Sequence, residues 1–179
     1  ASREALISGK YGAKIFHIGP SRDEIFFKGL NEDNSQLNIQ IDRVPFNKAE
    51  GIVCTGLFDD DVETPFDYTE QLIEAKNRGL KMLCANPDIQ VDRGTHRIYC
   101  AGAIAKAFND MGGTADNYGK PHSPIYNLAR VRLNKIAGKV IPDKKILCVG
   151  DGIKTDIHGA VMENLDSLFV TGGLAAEET

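Results

Sequence analysis

The 179-residue sequence lacks long apolar runs, a secretion signal and any excess of positive charge. No stretch approaches the roughly 20 apolar residues that a membrane-spanning helix needs, and no signal-peptide pattern opens the chain. The formal net charge of −4 argues against nucleic acid or an anionic membrane as a main partner. We therefore expect a protein that binds neither nucleic acid nor a membrane.

Paired cysteine motifs are also missing. The four cysteines, Cys54, Cys84, Cys100 and Cys148, occur without CxxC spacing and mostly inside apolar, strand-like runs. Disulfide frameworks and zinc sites use regular cysteine spacings, which this pattern does not show. We interpret these residues as small hydrophobic core residues in a reducing compartment, which predicts a cytoplasmic protein.

Internal repeats, low-complexity segments and Pro/Ser-rich linkers are absent, and the composition is that of a globular domain, with 42% hydrophobic and 26% charged residues. Apolar runs rich in β-formers alternate with amphipathic segments, which indicates crossover connections and a mostly parallel sheet. The sequence therefore predicts an α/β fold. Its predicted strands are residues 13–19, 51–57, 81–86, 145–150 and 166–172.

Helix signals lie between these strands. Ser21 and Glu24 form a capping-box pattern, Pro65 stands at a first helical position, and Ser123-Pro124 opens another helix. The apolar spacing predicts which helical side chains face inward. These are Phe66, Ile73 and Ala75, then Ile104, Ala107, Phe108 and Met111, then Ile125, Leu128, Leu133 and Ile136 with the stem of Arg132.

Residues 89–100 break the alternation of strands and helices. Two short β-like runs surround Asp92-Arg93-Gly94, which predicts a hairpin directly after the carboxyl end of a strand. Sheets of α/β proteins bind ligands at that end. The hairpin is therefore either a lid or substrate-reading loop, or an ordinary surface hairpin, and the sequence leaves both interpretations open.

The segment KILCVGDGIKTDIHGA places two acids at the end of a predicted strand. Gly150 and Gly152 flank Asp151, which allows a tight turn, and Asp156 follows in the first turns of a predicted helix. Carboxylate oxygens beside the backbone N–H groups of residues 152–155 suit Mg²⁺ together with a phosphate. The alternative is an ordinary turn residue and a favourable acid in a helix's first turn.

Lys120 lies in YGKPHSPIY, after a short strand-like run and before a predicted helix. A lysine at a strand's carboxyl end can reach the same crevice as Asp151 and neutralise a phosphoryl group there. Its alternative role is that of a solvated surface lysine. His122 is the only histidine that we place at this site, and none of the four histidines has metal-ligand spacing.

Other polar segments are less specific. Asn86 and Asp88, in CANPD, follow a predicted strand and are candidate substrate contacts, although Asn-Pro-Asp is also common turn chemistry. The acids at residues 59–61 point in different directions, which favours a solvated loop over a metal cluster. The sequence contains no Gly-x-Ser-x-Gly, Walker loop or Rossmann glycine fingerprint.

The segments GKPH and VGDGIKTDI resemble the third and fourth motifs of the haloacid dehalogenase (HAD) superfamily of phosphohydrolases. In this order, CTGLFDD, CANPD, YCAGAIA and SLFVTGG resemble class IIA of that superfamily, a branch of sugar-phosphate and related phosphatases. The similarity covers nearly the whole chain. It implies a partial Rossmann-like HAD core with a parallel sheet, joined to an α/β cap domain.

The same resemblance implies roles for the candidate residues. Lys120 would be the catalytic, phosphate-contacting lysine, Asp151 the direct Mg²⁺ ligand and Asp156 the supporting acid. The residues beside the phosphate would be Gly152, Ile153, Lys154 and Thr155.

The sequence departs from the family pattern in one respect. Family members begin with an Asp-x-Asp motif, which supplies the aspartyl nucleophile, and no such motif ends a hydrophobic strand here. We expect it upstream of Ala1, so we interpret the chain as truncated at its N-terminus. Residues 1–113 would be mainly cap domain, and residues 114–179 the second half of the core.

The whole protein is thus predicted to be a Mg²⁺-dependent phosphoric monoester hydrolase that acts on a small phosphorylated metabolite through an aspartyl-phosphate. Without the nucleophile, the chain alone should be inactive. The alternative is a non-catalytic protein that retains the pocket and binds a phosphorylated ligand. The resemblance also admits a homodimer formed through the cap.

Overall fold

The computed structural model describes residues 1–31, 39–94 and 96–172. The chain divides into two compact units, residues 1–118 and 119–179. Within the described ranges, no helix is long and apolar enough to cross a membrane. Strands alternate with helices along both units, which confirms the predicted α/β class.

The regular elements follow in chain order. The helices are α1 (Ser2–Ile7), α2 (Thr69–Asn77), α3 (Ala101–Asp110), α4 (Ser123–Ala137) and α5 (His158–Met162). The strands are β1 (Lys14–Ile18), β2 (Asp42–Arg43), β3 (Gly51–Cys54), β4 (Lys81–Cys84), β5 (Gln90–Arg93), β6 (His96–Tyr99), β7 (Thr114–Asn117), β8 (Leu147–Gly150) and β9 (Asp166–Phe169). The last glycine of SLFVTGG, residue 173, lies outside the described residues.

A five-stranded parallel sheet with the order β2-β1-β3-β4-β7 forms the centre of the first unit. Successive residues of its central strands are buried on alternate faces. On one face, Val53 and Leu83 pack with Leu6 near the N-terminus, and on the other Ile52 packs with Phe108 of α3. Burial on both faces explains why these strands appear as continuous apolar runs rather than alternating ones.

The last strand of this sheet lies beyond residue 113, where the sequence predicts the end of the cap domain. Strand β7 pairs with β4, and Cys84 is the register partner of Asn117. Residues 114–117 therefore belong to the first unit, and the chain divides after Tyr118. The assignment of the two units to cap and core stays a prediction.

The predicted inward-facing residues of α2 and of the segment before it are wrong at two positions. Phe66 is 84% exposed and Ile73 is 46% exposed, whereas Tyr68, Leu72 and Ala75 are buried. The segment Pro65–Tyr68 forms a 3₁₀ turn before the helix. This tighter turn shifts the phase of the following helix, so the inward stripe begins at Tyr68.

The two predicted helix starts in the first unit differ in outcome. Ser21 lies inside a 3₁₀ helix whose N-cap is Pro20, and its side chain makes no cap hydrogen bond, so that capping box is wrong. At Thr64 a capping box does form, because the Thr64 amide donates to Asp67 Oδ2 over 2.7 Å.

The predicted hairpin at residues 89–100 is confirmed. Strands β5 and β6 pair antiparallel, with Gln90 opposite Tyr99 and Arg93 opposite His96. The hairpin follows the carboxyl end of β4. Its role as a lid or substrate-reading loop stays a prediction.

The second unit contains a two-stranded parallel sheet of β8 and β9 with α4 and α5 packed beside it. Its small core consists of Tyr126, Ala160 and Leu165. Ile136, predicted to face inward, is 85% exposed. A two-stranded sheet offers too little surface to cover the last turns of α4, which is 15 residues long.

Candidate active site

Lys120 and Asp156 meet in the second unit. Lys120 lies in the loop before α4, and Asp156 lies in the turn that follows β8. The ammonium of Lys120 donates to Oδ1 of Asp156. The Asp156 side chain is 13% exposed and the Lys120 side chain is 53% exposed, so the lysine remains accessible to a ligand while it is paired.

The carboxylate of Asp156 is surrounded by nitrogen donors. Its Oδ2 accepts the Gly152 amide over 3.1 Å, and the backbone of Asp151 donates to the same carboxylate. Burial opposes ionisation, but the hydrogen bonds from Lys120 and Gly152 outweigh it, so the pKa of Asp156 lies below its usual value. Asp156 is therefore ionised at neutral pH, and its lone pairs are used within the protein.

Gly150 makes this arrangement possible. A Cβ added at residue 150 would overlap Cγ of Asp156 and lie 2.7 Å from its Oδ2. Only glycine leaves room for the carboxylate to fold back over the end of β8.

The helix predicted to start after β8 begins with a π-helical turn instead of an α-helical one. Residues Ile153–Ile157 form a π-helical turn, and α5 begins only at His158. The carbonyl of Gly152 accepts the amides of Thr155 (3.3 Å), Asp156 (2.8 Å) and Ile157 (3.1 Å). Wide turns of this kind occur often at functional sites.

This turn engages two of the four backbone amides that are predicted to contact phosphate. Of the four amides at residues 152–155, those of Gly152 and Thr155 already have protein acceptors. A backbone contact with phosphate would therefore come mainly from the amides of Ile153 and Lys154. The phosphate-binding roles of these four residues stay predictions.

Asp151 fits a divalent cation. Its half-buried side chain directly follows β8, and carboxylate oxygens are the hard ligands that Mg²⁺ prefers. Asp156 is engaged by Lys120 and two backbone amides, so it suits a supporting position rather than direct coordination. The metal-binding roles of both acids stay predictions.

His122 lies close to Lys120 in sequence and at the N-cap of α4. Its backbone amide donates to the carbonyl of Gly119 over 3.0 Å. Burial lowers the pKa of the imidazole, so His122 is neutral at physiological pH. Its contact with a ligand stays a prediction.

Asn86 and Asp88 lie in the first unit, just after β4. Oδ1 of Asn86 accepts the Asp88 amide over 3.2 Å, which is an ordinary turn contact. The contact of these residues with substrate stays a prediction.

Sequence reasoning missed a groove beside the candidate site. The groove measures about 560 Å³, and its lining combines Lys120 and Asp156 with apolar side chains such as Ile125, Leu147 and Val149. Leu147 and Val149 are more than half exposed. Apolar residues on a predicted parallel strand suggested burial, so nothing in the sequence marked them as open.

The acids at residues 59–61 were expected in a solvated loop, but they lie close together and one of them is largely buried. One carboxylate oxygen of each residue lies within 4.8 Å of an oxygen of the other two. The side chain of Asp60 is only 10% exposed, and it accepts hydrogen bonds from Arg22 and Arg93. Two guanidinium groups thus supply the positive charge at this cluster, and the sequence had not linked these distant residues.

Comparison with known proteins places the second unit in a family. Residues 117–179 match the model of the HAD-hydrolase-like family. Comparison with curated protein sequences gives no significant match.

Solved structures resemble the chain over nearly its whole length. A haloacid dehalogenase-like hydrolase from Brucella suis 1330 is 40% identical, with a TM-score of 0.80 over 98% of this chain and 63% of that protein. A p-nitrophenyl phosphatase from Archaeoglobus fulgidus is 24% identical, with a TM-score of 0.65 over 94% of this chain and 58% of that protein.

A glycerol phosphate phosphatase from Mycobacterium tuberculosis, solved with calcium, is 20% identical, with a TM-score of 0.63 over 97% of this chain and 46% of that protein. The last two likenesses show a shared fold. The chain spans less than two thirds of the length of these solved proteins. The family model, which matches residues 117–179, and the Brucella structure both agree with the motifs around Lys120 and Asp151, and the chain is similar to haloacid dehalogenase-like hydrolases.

Proposed function

We propose that the protein containing this chain is a Mg²⁺-dependent phosphatase of HAD class IIA that hydrolyses a small phosphorylated metabolite. One observation carries this proposal. The ammonium of Lys120 meets the carboxylate of Asp156 at the carboxyl end of β8, directly beside Asp151. The names of the phosphatases with the same fold support the reaction class.

Lys120 would bind the phosphoryl group. Its ammonium is held in place by Asp156 while its side chain remains accessible, so it can offset negative charge on phosphoryl oxygens. When bound, Mg²⁺ would supply further charge neutralisation at those oxygens. Asp151 would hold the ion directly, and Asp156 would fix the turn and the lysine.

The nucleophile would come from a segment upstream of Ala1. A carboxylate there would attack phosphorus and form a new O–P bond, while the leaving group departs with the electron pair of the broken P–O ester bond. Water would then hydrolyse the aspartyl-phosphate, releasing inorganic phosphate and restoring the carboxylate. The open apolar groove beside β8 supports this proposal. Among the described residues β8 pairs only with β9, and apolar side chains of β8 line the groove. Parallel strands are usually covered on both faces, so the upstream segment would cover this open side of β8.

Compartment and assembly belong to the same proposal. The four cysteines are unpaired, which agrees with a reducing, cytoplasmic location. A homodimer formed through the cap stays a prediction, and sedimentation of the purified protein would test it.

The test is turnover of p-nitrophenyl phosphate by the full-length protein. Removing a preorganised charge at a transition state typically costs about 10²–10³-fold in rate, so Lys120→Ala and Asp151→Ala should each lower turnover by at least that factor. Lys135→Ala, an exposed lysine of α4, is the matched control and should retain wild-type turnover.

Undiminished Mg²⁺-dependent turnover by either site variant would contradict the assigned roles. If the full-length protein binds inorganic phosphate in the presence of Mg²⁺ but shows no turnover, the alternative of a non-catalytic ligand-binding protein replaces the phosphatase. The 179-residue chain alone should show no turnover in either case.

A further inference from the structure

Tyr126 packs against two chain segments at once. It lies in the first turn of α4, and its side chain is 9% exposed. A Cβ added at Gly159 would overlap the Tyr126 Oη, lie 2.7 Å from Tyr126 Cζ and lie 3.0 Å from the Cα of Pro121. The tip of the ring, the backbone of α5 at Gly159 and the backbone of Pro121 therefore meet at one point.

These two segments carry the paired charges of the candidate site. Pro121 directly follows Lys120, and Gly159 lies three residues after Asp156. Because three residues are close to one helical turn, a shift of the backbone at Gly159 would also move the turn that bears Asp156. Glycine at residue 159 is what allows the tyrosine ring to lie against this backbone.

We propose that Tyr126 is a positioning residue that sets the separation between the segment carrying Lys120 and the turn carrying Asp156. It acts through its packing on Pro121 and Gly159, not through contact with substrate. The packing follows from the structure alone, whereas its consequence for turnover rests on the proposed phosphatase function.

The chemistry of Tyr126 suits a filling role. Burial raises the pKa of the phenol, and the nearby Cys148, Asp156 and Glu163 raise it further, so the ring stays neutral at physiological pH. Replacing Tyr126 by leucine would remove the ring tip and leave space into which both segments can move. Lys120 would then lose its fixed position relative to Asp156.

The first test is independent of activity. The full-length protein is unfolded in urea at neutral pH, and the coupling between Lys120→Met and Asp156→Asn is measured in a double-mutant cycle. We expect coupling in the wild-type background, retained coupling in Tyr126→Phe, which keeps the ring, and loss of coupling in Tyr126→Leu. Leu165→Ala, another buried residue of this core, is the control for general destabilisation and should retain the coupling.

Three outcomes of this cycle would overturn the inference. They are equal coupling in the wild type and Tyr126→Leu, no coupling in the wild type, and an equal loss of coupling in Tyr126→Leu and Leu165→Ala. The last would show that loosening the core anywhere has the same effect.

The second test uses size exchange. Gly159→Ala should collide with the ring and lower kcat/KM for p-nitrophenyl phosphate by about 10–100-fold, the scale expected when a catalytic group is displaced by about 1 Å. Adding Tyr126→Leu to Gly159→Ala should restore part of kcat/KM, because the shorter side chain makes room for the methyl group.

A double variant no better than Gly159→Ala, with both proteins folded, would overturn the inference. An inactive wild-type protein would refute the proposed function instead, and the urea cycle would then decide on Tyr126 alone.

Discussion

The carboxylate of Asp156 lies directly over Gly150, so closely that residue 150 has no space for a side chain. This contact turns Asp156 back toward β8, where it accepts hydrogen bonds from Lys120 and from the Gly152 amide. The orientation of the Lys120–Asp156 pair thus depends on the absence of a side chain at Gly150. It follows that the site is sensitive to substitution at a residue with no chemistry of its own.

Gly150→Ala should displace Asp156 and destabilise the second unit. Inserting a methyl group into a tightly packed position typically costs about 1–3 kcal/mol. Gly172→Ala is the matched control, because a Cβ at Gly172 would meet no atom within 4 Å, and surface changes of this kind stay within about 0.5 kcal/mol. The measurement is the urea midpoint of each variant, and equal midpoints would contradict the assigned packing.

The pH dependence of stability should reflect Glu163. Its carboxylate, 11% exposed, accepts a 2.6 Å hydrogen bond from Arg130, and Arg130 also pairs with Asp143 over 3.0 Å. Hydrogen bonds from Ser123 and Arg130 lower the pKa of Glu163. In the unfolded chain a glutamate has a pKa of about 4.3, so the unfolded state takes up this proton first as the pH falls.

The stabilisation by Glu163 is therefore fully present above about pH 4.3 and is lost as the pH falls through the lower pKa of the folded state. We expect the unfolding free energy of Glu163→Gln to fall less steeply between about pH 5 and pH 3 than that of the wild type. Glu70→Gln, at an exposed position of α2, should keep the wild-type slope. Urea titrations at several pH values measure both slopes, and an unchanged slope in Glu163→Gln would count against this ion pair.

The hairpin of β5 and β6 should depend on Asp60. Arg93, at the end of β5, donates to Asp60 over 2.7 Å, and Arg22 donates to the same carboxylate. Burial opposes ionisation of Asp60, but the hydrogen bonds from Arg93 and Arg22 outweigh it and lower its pKa. Asp60 is therefore ionised at neutral pH and connects the hairpin to the loop after β3.

Asp60→Ala should speed amide hydrogen exchange in β5 and β6 by about 5-fold, as expected for an ion pair contributing about 1 kcal/mol to a locally opening element. The control is Asp110→Ala, which removes an exposed carboxylate from α3 and should leave exchange in the hairpin unchanged. Equal exchange in Asp60→Ala and the wild type would show that the hairpin is held by other contacts.

Part of this molecule could be predicted without coordinates. Strands β3 and β4 were identifiable because strands buried on both faces need apolar side chains at every position. Lys120 and Asp151 were expected in one crevice because each follows a predicted strand. The structure pairs Lys120 with Asp156, which lies five residues after Asp151. The motifs around both residues resemble those of the family whose model matches residues 117–179.

Other features could not be predicted from local patterns. Phe66 and Ile73 were expected inside, but a 3₁₀ turn changed the phase of α2, and propensities do not resolve such a shift. The π turn after β8 engages two of the amides that were expected to face a ligand, because the Thr155 amide donates to the carbonyl of Gly152 and the Gly152 amide donates to Asp156. The role of Asp60 depends on two arginines distant from it in sequence.

The sequence by itself determined the α/β class, the succession of the predicted strands along the chain and the residue types that stand at their ends. These properties follow from burial and from the chain's short-range periodicity, which each segment carries alone. Only the tertiary structure decided which groups donate hydrogen bonds to the Asp156 carboxylate and where the ring of Tyr126 packs. Such contacts require the separation between segments far apart in sequence to be set to within a few tenths of an ångström, and close packing fixes that separation only when all segments are assembled.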